Sequence, residues 1–368
     1  MKVLCIFGTR PEAIKMAPVV LELRKQLPIV TRICVTAQHR EMLDQVLELF
    51  EIKPDYDLRV MRANQSLSYL TGRILQAVER VLEAERPDWV LVQGDTTTAM
   101  AASLAAFYQR VKIGHVEAGL RTRNKFHPFP EEINRRIGDV LADVCFAPTE
   151  GAAQNLRDEG VPRAWIHVTG NTVIDALLAA RDRVQRRPPP LPEGLLDWLG
   201  ARRMVLITGH RRESFGAPFE AICSALRDLA EQQPDVRLIY PVHLNPNVQR
   251  PARQILAGIP NLRLIRPLAY GAFVWMMQRA ELILTDSGGV QEEAPSLGKP
   301  VLVMREITER PEGIAAGNAF LVGADRGRIV SEARRLLEDA GHYQTMASVN
   351  NPYGDGHAAR RIVEALLS

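Results

Sequence analysis

Short apolar runs rich in β-branched residues alternate along this chain with stretches in which apolar residues recur at i, i+3 and i+4. This alternation is typical of βαβ units, in which helices cover both faces of a parallel sheet. The pattern occurs twice, on either side of a proline-rich segment at residues 187–192 that cannot continue a helix. The predicted strands are residues 3–7, 29–36, 89–93, 111–116 and 143–149 before this segment, and residues 204–209, 236–242, 262–265, 282–286 and 301–304 after it.

The sequence therefore predicts an α/β protein built from two doubly wound, Rossmann-like domains. We expect the first domain to comprise residues 1–170 and the second residues 171–356, and 368 residues are enough for each to bury its own core. A turn-rich break at residues 350–356 precedes a last helix, residues 357–368, which is predicted to cross back to the first domain. Because ligands of open α/β sheets bind beyond the carboxyl ends of the strands, two such domains facing each other predict a cleft.

Composition and charge exclude several classes of function. No apolar run approaches the roughly 18–20 residues needed to span a bilayer, and a strand pattern starts directly at Met1, so we expect a cytoplasmic protein without a membrane partner. The formal net charge is only +3 and no Lys/Arg block is longer than a pair, which argues against nucleic acid. Cys5, Cys34, Cys145 and Cys223 lack Cys-x-x-Cys spacing, so we expect reduced core thiols and no metal site.

A glycine turn in the second half of the chain points to a phosphate-binding site. Ser287, Gly288 and Gly289 separate an apolar strand from a helical pattern. Glycines let a ligand approach the backbone, and the amide groups at a helix start favour an anion such as a diphosphate. A Ser-Gly-Gly sequence is equally compatible with a plain helix cap. Glu292 and Glu293 follow one turn later, where a carboxylate can accept hydrogen bonds from ribose hydroxyls.

Polar residues also follow the predicted strands of the first half. Arg10 and Lys15 come after the first strand, near Pro11 at an expected helix start, and could reach a phosphate; simple exposure to solvent is the alternative for Lys15. Asp95 follows the third strand, as either a functional carboxylate or the N-cap of the next helix. Glu117 follows the fourth strand and has no partner evident in sequence, so we expect it at a buried mouth of the site.

Three further residues complete the candidate set. Glu131 lies in a helical pattern four residues before Arg135, and a surface ion pair between the two is the alternative to a functional role. His210 follows the first strand of the second half beside two arginines, which suits an anionic ligand, although a structural histidine is the alternative. Arg310 follows the last predicted strand and could close a phosphate clamp or lie at the surface.

Eleven ordered sequence blocks closely resemble those of the non-hydrolysing UDP-N-acetylglucosamine 2-epimerases. The match runs from the first residues to the last helix, and ordered blocks of this extent are far more specific than a single glycine motif. The blocks are GTRPEAIKMAP (8–18), TAQHREMLDQ (36–45), QGDTTT (93–98), GHVEAGLRT (114–122), PEEINR (130–135), GNTVIDAL (170–177), TGHRRESFG (208–216), YPVHLNPNV (240–248), LTDSGGVQEEAPSLGKPVLVMR (284–305), TERPEG (308–313) and NPYGDG (351–356).

The resemblance implies a GT-B-like fold and the interconversion of UDP-GlcNAc and UDP-ManNAc. It implies UDP as the nucleotide product, no redox cofactor, a homodimer, and a role in cell-surface polysaccharide biosynthesis. The catalytic positions of the family match Asp95, Glu117, Glu131 and His210. The positions that hold the diphosphate match Arg10, Lys15, Ser287, Gly288, Gly289 and Arg310, those of the ribose and uracil match Glu293 and Phe273, and those of an activating second UDP-GlcNAc match Gln38, Arg211 and His243.

The chemistry of C2 inversion suggests how such residues act. No carbonyl acidifies the C2 hydrogen, so expulsion of UDP from C1 must come first, and a carboxylate can then remove the proton to give a 2-acetamidoglucal. Donors around the diphosphate stabilise the departing charge, and Asp95, Glu117 and Glu131 remain open as the groups that move protons. The alternatives are a hydrolysing epimerase that releases ManNAc and UDP, a GT-B glycosyltransferase, and a non-enzymatic UDP-sugar sensor.

Overall fold

The computed structural model describes residues 1–36, 40–62 and 65–368, apart from the side chains of residues 40 and 41. The chain divides into two compact units. The first comprises Met1–Ala179 together with Tyr353–Ser368, and the second comprises Ala180–Pro352. In the described part of the chain, no helix is both long and apolar enough to cross a membrane.

The first unit is a parallel sheet flanked by helices. Its strands are β1 (Lys2–Phe7), β2 (Val30–Val35), β3 (Tyr56–Asp57), β4 (Trp89–Gln93), β5 (Lys112–Val116), β6 (Val144–Ala147) and β7 (Ile166–Val168). Its helices up to the division are α1 (Arg10–Arg24), α2 (Arg40–Leu49), α3 (Leu67–Glu85), α4 (Thr97–Tyr108), α5 (Glu131–Leu141), α6 (Glu150–Asp158) and α7 (Thr172–Arg186), and the division falls within α7. Among the described residues the strand order is β3-β2-β1-β4-β5-β6-β7, with each neighbouring pair parallel.

The second unit repeats this architecture. Its strands are β8 (Met204–Thr208), β9 (Arg237–Pro241), β10 (Leu262–Ile265), β11 (Leu282–Thr285), β12 (Val301–Val303) and β13 (Ala319–Leu321). Its helices are α8 (Leu195–Leu199), α9 (Ala217–Gln232), α10 (Pro246–Leu256), α11 (Tyr270–Arg279), α12 (Gly288–Glu293), α13 (Pro311–Ala316), α14 (Arg326–Glu338) and α15 (Ala340–Ala347). The order β10-β9-β8-β11-β12-β13 is parallel throughout, so the predicted α/β class with two parallel sheets is confirmed.

Three short strands were missed by the sequence analysis. β3, β7 and β13 have two or three residues each, and each lies at the edge of its sheet. An edge strand buries fewer side chains than a central one, and all three contain partly exposed positions. Such strands lack the continuous apolar run by which a buried parallel strand is identified in sequence.

A buried glutamate joins the loops that follow β1 and β4, which are neighbours in the first sheet. Thr9 is the N-cap of α1, and the Glu12 carboxylate accepts a hydrogen bond from the Thr9 amide at 2.7 Å, which makes a capping box. Thr96, the N-cap of α4, donates its hydroxyl to the same carboxylate at 2.8 Å. Because Glu12 has donors on both loops, the start of α1 is held beside the start of α4.

The last helix, α16 (Ala358–Leu367), contacts α1 in the first unit. The backbone amides of Ala358 and Ala359 donate to the Asp175 carboxylate of α7 at 3.2 and 2.9 Å. A carboxylate at a helix start satisfies amides that have no partner within the helix. Asp175 therefore fixes the point at which the chain enters its last helix.

The four cysteines are buried free thiols, as the sequence analysis predicts. Burial raises the pKa of Cys5, Cys34 and Cys223 to about 12. Thiols held in the neutral form are poor nucleophiles and poor metal ligands, so these residues act as small apolar side chains of the core.

Candidate active site

A buried ion pair lies at the carboxyl edge of the first sheet. Glu117 directly follows β5 and is only 8% exposed, and the Lys15 ammonium of α1 lies 2.7 and 2.5 Å from its two carboxylate oxygens. The side-chain amide of Gln93, the last residue of the neighbouring strand β4, donates to the same carboxylate. Donors on both oxygens favour the charged form of Glu117. The sequence showed no partner for Glu117, because Lys15 is 102 residues away.

The turn that carries Glu117 has an uncommon backbone conformation. Glu117 has a φ of 66° and Gly119 a φ of 86°. The left-handed region costs a residue with a Cβ roughly 1–2 kcal/mol, so a glutamate there must be held by its surroundings. The backbone amide of Gly119 donates to the Asp139 carboxylate of α5 at 3.3 Å. The Gly119 carbonyl accepts from the side-chain amide of Asn155 in α6 at 3.0 Å.

Asp95 lies in the loop after β4 and is joined to α5. The Arg135 guanidinium of α5 donates to the Asp95 carboxylate. The side-chain amide of Asn134 donates to the Asp95 backbone carbonyl at 3.0 Å. Helical spacing allows a pair between Arg135 and Glu131, but in the structure Arg135 pairs with Asp95 and with Glu132. Glu131 is the first residue of α5 and is partly exposed.

The alternative role of Asp95 as a helix cap is wrong. Thr96 is the N-cap of α4, and its hydroxyl accepts from the Ala99 amide at 3.1 Å. The Asp95 side chain remains 31% accessible. Its carboxylate can therefore serve a function other than helix capping.

Two guanidinium groups surround the glycine turn in the second unit. A Cβ placed on Gly288 would lie 3.8 Å from Arg211 Nη2 and 3.9 Å from the Arg310 Cζ atom. Ser287 is the N-cap of α12, but its amide already donates to the Thr285 hydroxyl at 2.9 Å. Because α12 has only six residues, the two cations supply more positive charge at this turn than the helix dipole does. Gly289 follows in the first turn of α12.

Arg310 is oriented by the helix that starts at this turn. Its guanidinium donates to the Glu292 carboxylate of α12, and its amide donates to the Thr308 hydroxyl at 3.1 Å. Glu292 is buried, and its carboxylate accepts from Arg310. This contact orients the Arg310 side chain. Arg211 was expected in an activating site by resemblance; the structure places its guanidinium beside the same glycine as Arg310.

His210 is held by Asp286, which the sequence analysis did not single out. The backbone amides of His210 and Arg211 donate to one Asp286 carboxylate oxygen at 2.6 and 2.8 Å. The His210 Nδ1 atom lies 3.4 Å from the other oxygen, and the ring stacks on His243 with centroids 5.3 Å apart. The His210 side chain is 40% exposed, so the ring is oriented by protein on one side and accessible on the other.

The residues expected near the nucleoside lie on two neighbouring helices. Glu293 of α12 is buried and accepts the Tyr270 hydroxyl of α11 at 2.6 Å. Phe273 lies three residues after Tyr270 on the same helix and is partly buried. Arg10 is the first residue of α1 in the other unit. Gln38 lies outside the described residues.

A second buried network lies beside the turns that carry Asp95 and Glu117. His115, in β5, contacts the Gly94 carbonyl and the Asp139 carboxylate, and Arg121 pairs with Asp139. No sequence pattern predicts a role for Gln93, His115 or Asp139. The block GHVEAGLRT contained His115, but an apolar strand pattern does not show what lies beside each side chain.

Two doubly wound parallel units, with carboxylates at the strand ends of one and arginines around a glycine turn in the other, define a GT-B-like protein. A family model described as UDP-N-acetylglucosamine 2-epimerase matches residues 21–367. The UDP-N-acetylglucosamine 2-epimerase of Salmonella typhimurium is 57% identical, over 100% of this chain and 99% of that protein. The chain belongs to the UDP-N-acetylglucosamine 2-epimerase family.

Solved structures agree with this assignment. The UDP-GlcNAc 2-epimerase from Neisseria meningitidis, crystallised with UDP-GlcNAc, is 50% identical with a TM-score of 0.90, and the match covers 100% of both chains. The UDP-GlcNAc 2-epimerase from Methanocaldococcus jannaschii, in complex with UDP-GlcNAc and UDP, is 33% identical with a TM-score of 0.81, covering 100% of this chain and 99% of that one.

Proposed function

We propose that the chain interconverts UDP-GlcNAc and UDP-ManNAc by eliminating UDP and adding it back, without hydrolysis. The family and the relatives solved with UDP-GlcNAc and UDP support the substrate class. The observation that carries the proposal is the placement of Asp95 and the Glu117–Lys15 pair after adjacent strands of the first sheet. Ligands of doubly wound folds bind at this edge, so both carboxylates can act on one sugar ring.

Glu117 is suited to stabilise positive charge on the sugar. Lys15 and Gln93 donate to its carboxylate, which favours an anion over a neutral acid. When the bond between C1 and the diphosphate breaks, an oxocarbenium-like centre develops at C1, and a nearby anion lowers the free energy of that state. An ammonium has three donors, so Lys15 can also bridge to a phosphate oxygen, as the resemblance implies.

Asp95 and Glu131 are the groups that we assign to proton transfer at C2. Loss of UDP makes the C2 hydrogen acidic, and one carboxylate removes it to leave a neutral 2-acetamidoglucal. UDP then attacks C1 while a proton is delivered to the opposite face of C2. Two faces of one carbon require two groups or one that moves, and Asp95 and Glu131 supply two.

The second unit is suited to bind the departing diphosphate. Arg310 places a cation beside Gly288, Glu292 keeps Arg310 in position, and Arg211 lies beside the same glycine. Such preorganised charge stabilises an anion as it develops. His210, oriented by Asp286, would orient or protonate the pyrophosphate. Ser287 and Gly289 complete the turn, while Glu293 and Phe273 would contact the ribose and the uracil.

Turnover in deuterium oxide tests the proposed reaction. We expect deuterium at C2 in both recovered UDP-sugars, since the glucal takes its proton from an exchanging carboxylate, and we expect neither free ManNAc nor net release of UDP. Proton NMR of the nucleotide sugars measures both. Release of ManNAc with UDP would identify the hydrolysing form, and transfer to an added acceptor a glycosyltransferase. Tight binding without exchange at C2 would indicate a sensor, and the proposal would be wrong.

We further propose that UDP-GlcNAc activates the enzyme from a second site involving Gln38, Arg211 and His243. His243 stacks on the proposed catalytic His210, so a ligand that contacts His243 can affect His210 directly. The expected result is a sigmoidal UDP-ManNAc saturation curve that becomes hyperbolic when a little UDP-GlcNAc is added. A hyperbolic curve with UDP-ManNAc alone would contradict this.

The implied homodimer also remains a prediction, which light scattering can check.

A further inference from the structure

His115 is completely buried at the carboxyl end of β5 and has acceptors on both ring nitrogens. Its Nε2 atom lies 2.7 Å from the Gly94 carbonyl oxygen, and its Nδ1 atom lies 2.6 Å from Asp139 Oδ1. A carbonyl oxygen cannot donate, so Nε2 must carry a proton. The ring has the space it needs because α5 has a glycine there: a Cβ on Gly138 would lie 3.1 Å from His115 Cε1.

The surroundings of Asp139 determine whether the other ring nitrogen, Nδ1, carries a proton. Its Oδ2 atom accepts from the Gly119 amide at 3.3 Å and lies 2.7 Å from the Arg121 guanidinium, so the carboxylate is ionised. An ionised carboxylate can only accept, and Nδ1 must therefore donate to it. The ring has two N–H groups and a positive charge, which its two acceptors satisfy.

The electrostatics of the network agree with this protonation state. Burial disfavours the charged imidazole, but the Asp139 carboxylate and the Gly94 carbonyl outweigh it, and the pKa of His115 is raised above its ordinary value. Burial also opposes the charge on Asp139, but His115 and Arg121 hold the pKa of its carboxyl below the ordinary value. Arg121 is in turn paired with Glu159, so the group comprises two cations and two anions.

The network contacts both turns that carry the proposed catalytic carboxylates. Gly94 directly precedes Asp95, and its carbonyl is held by His115. Gly119 closes the left-handed turn of Glu117, and its amide is held by Asp139. We infer that His115 is a positioning residue whose two ring N–H groups hold together the turns of Asp95 and Glu117. The inference rests on the proposed function for the importance of those carboxylates.

The variant His115→Gln tests the catalytic consequence. A carboxamide has one donor group, so it cannot donate to both Gly94 and Asp139, and the two turns should separate slightly. Because a displacement of about 1 Å can cost about 100-fold in rate, we expect kcat to fall about 100-fold. KM should stay within about three-fold, since no residue assigned to the nucleotide is altered. The control is His167→Gln on the edge strand β7, which receives the same change and should retain wild-type kcat.

A spectroscopic measurement on the unaltered chain tests the protonation of the ring. With 15N-labelled histidine, both His115 ring nitrogens should have imidazolium chemical shifts at about pH 7.5, where a histidine with the ordinary pKa of about 6.5 would be mostly neutral. A neutral His115 ring at neutral pH would overturn the inference, and so would a kcat of His115→Gln within about three-fold of wild type.

The two measurements also separate this inference from the proposed function. The 15N experiment needs no turnover and decides the assignment even where His115→Gln does not fold. A wild-type chain that never exchanges hydrogen at C2 would overturn the proposed function, and the imidazolium shifts would still decide whether His115 holds both turns. An active wild type with a neutral His115 would overturn only the inference made for His115.

Discussion

Glu117→Gln is expected to reduce kcat by about 10²–10³-fold while UDP binding stays within a few-fold of wild type. Glutamine has nearly the same size as glutamate, so the turn after β5 should keep its shape, but the negative charge that faces the developing cation is lost. The nucleotide is assigned mainly to groups of the second unit, which the change does not touch. Initial rates with UDP-GlcNAc and calorimetric titration with UDP measure the two effects.

The matched control is Glu83→Gln on α3, which is exposed. It makes the same chemical change and should leave kcat unaltered. Glu117→Gln also leaves the Lys15 ammonium without its carboxylate, so thermal unfolding should be recorded for both variants. A folded Glu117→Gln enzyme with full activity would contradict the role assigned to Glu117.

The largest expected effect on stability comes from Gly119→Ala. A Cβ at this position would lie 2.3 Å from the Ala152 carbonyl oxygen and 2.9 Å from the Leu156 Cγ atom, both in α6. The carbonyl belongs to a helix backbone and cannot move aside as a flexible side chain does. The φ of 86° adds a conformational cost of about 1–2 kcal/mol for any residue with a Cβ. With about 1–3 kcal/mol for overpacking, we expect the free energy of unfolding to fall by about 2–5 kcal/mol.

Gly160→Ala is a matched control for this change. Gly160 also has a φ of 86°, but among the described residues no heavy atom beyond its two chain neighbours lies within 4 Å of the position that its Cβ would occupy. Only the conformational cost of the left-handed backbone applies here, so the free energy of unfolding should fall by about 1–2 kcal/mol. Urea unfolding of both variants under the same conditions gives the difference. Equal losses would show that α6 can yield at Ala152.

The strand pattern of the sequence predicted the central part of both sheets. Residues 89–93, for example, form β4 with the predicted bounds, and β8 (Met204–Thr208) lies within the predicted residues 204–209. Central parallel strands are buried on both faces, so their apolar character is continuous and visible without any knowledge of neighbours. The edge strand Tyr56–Asp57 has no such run and was not predicted.

Strand ends also predicted where polar side chains collect, but not which of them pair. The pattern placed Asp95 and Glu117 after neighbouring strands, because the carboxyl ends of parallel strands share one edge of the sheet. It predicted neither the contact of Lys15 with Glu117 nor the pairing of Arg135 with Asp95, which join residues 102 and 40 positions apart. Helical spacing favoured a local pair between Glu131 and Arg135, since only near neighbours are visible in a sequence.

The sequence by itself determined the alternating α/β architecture, the strand ends at which function is expected, and the family. Burial and ion pairing were decided only by the tertiary structure. His115 shows the difference: in sequence it is one polar residue in an apolar strand, whereas in the fold it has an acceptor on each ring nitrogen. A histidine's charge depends on the atoms around it, and those atoms come from segments that only the folded chain brings together.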